Sequence, residues 1–121
     1  METELDLVHD VGKVTNDSRE YLLNIARSAN EASSQVRQAW ENYSSPVDYG
    51  VNSLDLPKVV SLIDAGMPTK LYYVSYRNNA FDTHVFQNNV HRRLLTYTSD
   101  AVFAFLQDLE RIGRADDVAL M

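Results

Sequence analysis

Cysteine is missing from all 121 residues, so neither a disulfide nor a thiolate metal site can form. Any metal would have to be held by oxygen and imidazole ligands. The redox compartment is left open by the same absence. Long apolar runs are missing too: the longest extend a few residues, far short of the roughly 20 needed to cross a bilayer. Basic residues are outnumbered, 11 against 17 acidic, for a net charge of −6. A binder of phosphate backbones needs a basic surface, so nucleic acid is disfavoured as a partner, and anionic membranes with it. The first ten residues carry Glu2, Glu4, Asp6 and Asp10 where a signal peptide would carry a basic region. No export leader is expected, and the chain as it stands reads as cytoplasmic. There is no internal repeat and no low-complexity tract.

What remains is an ordinary globular composition, 45% hydrophobic and 23% charged, of a length that suits one domain or part of one. Asp17 and Glu20 have the spacing of a helix cap with a favourable charge in the first turn, and a helix is expected from there to about Tyr43. Leu22, Ile25, Ala29, Ala32, Val36, Ala39 and Tyr43 recur at alternating steps of three and four and form one seam. Such a seam suits a coiled coil, but three of its seven positions are alanine, which favours close docking on the parent domain over self-association.

Ser44, Ser45 and Pro46 stop this helix, and a loop with Gly50 as a turn residue follows. Ser53 as cap and Pro57 in the first turn predict a second helix carrying Val59, Val60, Leu62 and Ile63, ended by Gly66 and Pro68. The run Leu71 to Tyr76 is rich in aromatic and branched residues and reads as a strand covered on both faces. A helix is expected from about Gln87 to Ile112, with Val90, Leu94, Ala101, Phe105, Leu109 and Ile112 on its inner side and Gly113 just beyond its end. Val118 to Met121 then reads as a second strand, parallel to the first. The expected fold class is therefore α/β: an incomplete parallel βαβ unit preceded by helices, with residues 1–53 as an amino-terminal helical segment and 54–121 as the α/β part. Two strands cannot cover their own apolar faces, so a portion of a larger domain is expected.

The turn after the first strand is where chemistry would sit, because ligands in open α/β sheets bind beyond the carboxyl ends of the strands. Asp82 and His84 are oxygen and nitrogen donors two residues apart and could share one zinc or manganese ion. His84, Gln87 and His91 fall at steps of three and four, so Gln87 and His91 could line the same cleft. The plainer reading is that Asp82 or Thr83 caps the following helix and that His91 is an ordinary helix residue. Asn78 and Asn79 need mean only a left-handed turn, and Arg92 with Arg93 a solvated face.

The run Phe81, Asp82, Thr83, His84, with Gln87, His91, Leu94 and Leu95, then Ala101, Phe105, Asp108 and Leu109, resembles the bacterial family catalogued as domain of unknown function 1501. Leu62, Ile63, Ala65 and Gly66 resemble it as well, so the likeness spans about Leu54 to Met121. That family is similar to the alkaline phosphatase and sulfatase superfamily, whose α/β sandwich binds metals through Asp and His side chains. The resemblance implies that Asp82 and His84 are metal ligands. It departs at Asn79 and Ala80, where a glycine pair is usual, and at Phe86, where a small polar residue is common. The superfamily's nucleophile and its remaining ligands have no counterpart in the chain, and two donors cannot hold a metal firmly. The expectation is a truncated, hydrolase-like member, inactive alone, whose partner is the remainder of its domain. The alternative is a non-catalytic interaction module that uses the amino-terminal helix, self-association included.

Overall fold

The computed structural model describes the backbone from Glu4 to Met121 and the side chains from Asn16 onward. Three α-helices follow one another, α1 (Glu4–Asn42), α2 (Leu56–Asp64) and α3 (Gln87–Arg111), and a single 3-10 turn spans Ala115–Asp117. Among the described residues there is no strand and no β-bridge. The fold is all-α, which corrects the expected α/β class and removes the alkaline-phosphatase-like architecture that went with it.

The chain divides into two units, one reaching Gln38 and one running from Ala39 to Met121. In the first, the α1 helix starts well before Asp17, so the Asp17 and Glu20 pair lies inside it and caps nothing. Of the seam residues in this unit, Leu22 is 64% exposed and Ile25 49%, Ala29 and Ala32 are exposed, and Val36 is half-buried. The acidic run from Met1 to Asp10 carries side chains outside the described residues.

The second unit has one core. Val59, Val60 and Ile63 of α2 meet Ala101, Ala104, Phe105 and Leu109 of α3, with Tyr49 and Leu56 completing the cluster. Ala39 is buried at the end of α1. The inner face expected for α3 is thus realised over its second half. Leu94 and Ile112 are half-buried and Val90 is exposed. Both α2 and α3 end in the same way. At α2, Gly66 N–H donates to Ile63 C=O at 3.0 Å and Met67 N–H to Leu62 C=O at 3.1 Å; at α3, Gly113 N–H donates to Glu110 C=O and Arg114 N–H to Leu109 C=O. These paired bonds are the Schellman motif, which needs a left-handed residue that glycine supplies without a Cβ penalty. Gly66 and Gly113 have φ of +71° and +72°.

The helix starts differ from expectation. Asp55, not Ser53, is the N-cap of α2, and Phe86, not Asp82 or Thr83, is that of α3. Both caps are left-handed and neither makes a side-chain capping bond. The two expected strands are open chain. From Met67 to Tyr76 the backbone runs without helix, turn or bend, and so does Val118 to Met121. A strand exists only by pairing, and local β preference cannot supply the neighbour. Beyond the Met67 bond that closes α2, neither run forms a backbone hydrogen bond with any other segment among the described residues. Instead they flank a cavity of about 680 Å³ whose floor is Leu56, Val59, Ile63 and Phe105.

Candidate functional site

The loop between the first open run and α3 is held by its own turns. Asn78 and Asn79 both take positive φ, 58° and 48°, as asparagine tolerates, and Asp82 N–H donates to Asn79 C=O at 2.8 Å. Phe81 then packs edge-on against Tyr76, ring centroids 5.1 Å apart, and against His91 at 5.7 Å. The Asp82 carboxylate reaches His84 Nε2 at 2.7 Å. Both side chains are well exposed, 63% for Asp82 and 82% for His84, so the pair is strongly solvated and worth little to stability.

The two donors singled out from the sequence therefore stand together. Gln87 and His91 lie four residues apart on one exposed face of α3, and His91 is engaged with the Phe81 ring. Among the described residues no three His, Asp or Glu side chains gather in a way that could hold a metal ion. Asp82 and His84 alone would offer zinc or manganese two of the usual four or more ligands.

A second polar cluster lies inside the globular unit. Asp108 is on the buried side of α3 with no exposed side-chain surface. Its Oδ2 accepts hydrogen bonds from the Tyr43 hydroxyl and from the Tyr49 hydroxyl at 2.7 Å. Its Oδ1 accepts from Arg111 Nε at 2.9 Å and lies 2.8 Å from Arg111 Nη2. Arg111 Nη2 also donates to the Tyr43 hydroxyl at 3.2 Å. Burial pushes the Asp108 carboxyl up, but the two phenols, the Ser45 hydroxyl and the guanidinium outweigh it and hold the group below the ordinary carboxylate value. Burial, followed by the carboxylate beside them, pushes the phenols of Tyr43 and Tyr49 up. Every strong acceptor direction on Asp108 is occupied by the chain's own donors, so this cluster ties three segments together and leaves no free group for catalysis. A signal for it was present in the sequence. Asp108 sits among Ala101, Ala104, Phe105 and Leu109 in the apolar rhythm of α3, where a carboxylate must find partners.

No family model, no curated protein and no solved structure matches the chain. The resemblance to the domain of unknown function rests on the residues quoted for it, and the α/β sandwich it implied is not the fold of this chain.

Proposed function

We propose that this chain is a non-catalytic interaction module whose α1 stripe pairs with the same stripe of a second copy. The observation that carries the reading is the exposure of Leu22 and Ile25 at the head of a seam that continues at steps of three and four through Ala29 and Ala32. That 3.5-residue spacing is the one that keeps a seam facing a partner helix along its length. The flanking positions Ala26, Ser28, Ser33 and Gln35 are small or uncharged. A copy laid along the seam therefore meets no like charge beside it, although the whole chain is acidic, and the alanines permit a close approach of the two axes. Fully burying a leucine or isoleucine is worth about 1.5–3 kcal/mol, and a symmetric pair buries each of them twice. The same surface explains why α1 carries apolar residues in a unit with no core of its own among the described residues.

Sedimentation velocity over a wide concentration range tests this. The chain should pass from monomer to dimer as concentration rises, and the double variant Leu22→Asp, Ile25→Asp should remain monomeric with its helix content retained. A chain that stays monomeric throughout would sink the reading.

A further inference from the structure

A cavity lies beside α2, independent of the α1 stripe. Its two long walls are the open runs at Lys70–Val74 and Val118–Met121, and its floor is apolar. Neither wall makes a backbone hydrogen bond among the described residues, and Val118, at the head of the second wall, is fully β, φ −123° and ψ 123°. Backbone N–H and C=O groups beside an apolar floor gain most when a chain of the same type fills the space.

Charge narrows the occupant further. Three charged side chains line the cavity, Lys70, Arg114 and Asp117. Arg114 Nε is paired with Asp117 at 2.6 Å, and Arg114 Nη1 donates to the Ile63 carbonyl at 3.3 Å. Lys70 takes part in no ion pair among the described residues, so the rim carries one uncompensated ammonium in a chain of net charge −6. Leu71 and Tyr73, whose side chains are exposed on the same run, give an incoming chain apolar surface on the outer side as well.

We propose that this cavity binds an extended apolar segment of a partner protein, with one acidic side chain beside Lys70, by main-chain addition to the open runs. The floor residues Leu56, Val59, Ile63 and Phe105 take the inward side chains at alternate positions, as the two-residue period of an extended chain requires. The partner is thus read mainly through its backbone, and its sequence matters only as an apolar alternation ending in a carboxylate.

Titration calorimetry on the full chain tests the site with a capped peptide that alternates valine and threonine and ends in glutamate. The control is the same peptide methylated on alternate backbone nitrogens. The unmodified peptide should bind one to one and the methylated one should not. Lys70→Gln should weaken binding about threefold, and Leu22→Asp should leave it unchanged. Equal binding of the methylated peptide would show a nonspecific apolar trap and overturn the proposal. So would the absence of binding, or self-pairing of the open runs in place of peptide capture.

Discussion

The hydroxyl of Tyr49 donates a 2.7 Å hydrogen bond to the carboxylate of Asp108, 59 residues away in sequence. That bond joins the loop after α1 to the buried side of α3, and Tyr43 makes a second such link at the end of α1. A carboxylate in this position is favourable only while its donors are in place. Removing either side leaves a buried polar group unpaired.

Replacing Asp108 with alanine should therefore be among the most damaging single changes in the chain. It strands the buried Tyr49 hydroxyl and opens a void beside Leu109. A loss of about 3–5 kcal/mol is expected from breaking a buried, charge-assisted cluster, enough to unfold a domain of ordinary stability in part. Tyr49→Phe removes one donor of several and should cost about 1–2 kcal/mol. Urea denaturation followed by far-ultraviolet circular dichroism measures both.

Stability should also fall at both ends of the pH scale. Asp108 is held below its ordinary value of 3.8 in the folded chain. Its contribution is thus complete above that value and is lost as the pH drops through the lower, folded-state value. The phenols of Tyr43 and Tyr49 are held above their ordinary value of 10.0. Their contribution is complete below 10.0 and declines as the pH rises beyond it, because the unfolded phenols ionise first. Thermal melts across the pH range should show an acid limb that Asp108→Ala abolishes and an alkaline limb that Tyr49→Phe reduces.

The helix stops give a sharper, local expectation. An added Cβ at Gly113 meets nothing within 4 Å and the residue keeps φ at +72°, so any cost of Gly113→Ala is conformational and not steric. About 1 kcal/mol is expected, and about the same for Gly66→Ala, which is equally open. A cost near zero for both would mean that the paired terminal bonds do not set these helix ends.

Thr83 supplies the opposite case. Its hydroxyl is buried without a partner, so Thr83→Val removes an unpaired polar group at nearly constant shape. The melting temperature should rise, or at worst stay level. A clear fall would mean that the hydroxyl has a partner.

The α/β class was not the fold found, but parts of the helices were legible because they are written in short-range patterns. The span of α3 follows from its apolar rhythm and from Gly113, and the end of α2 from Gly66 and Pro68. The start of α1 was misplaced because Asp17 and Glu20 have cap spacing, yet nothing before them interrupts the helix, which runs on from Glu4. The strands failed for a different reason. Leu71 to Tyr76 has every local preference for a strand, but a ladder is a property of two segments, and this run meets none among the described residues. At the loop, the nearness of Asp82 and His84 was readable from their spacing. Of the Asp108 cluster only the need for partners was readable, from a carboxylate in the apolar rhythm of α3; that Tyr43 and Tyr49 supply them was not, because they reach it only through the tertiary fold.

The absence of cysteine makes the most direct test of α1 pairing clean. Chains with Ala29→Cys and chains with Ala32→Cys are mixed and oxidised under mild conditions, with Glu31→Cys, off the seam, as control. Pairing along the stripe predicts disulfide-linked dimers from the seam positions, between like chains if the helices are parallel and between unlike chains if antiparallel, and little from Glu31→Cys. Equal, slow cross-linking at all three positions would contradict it.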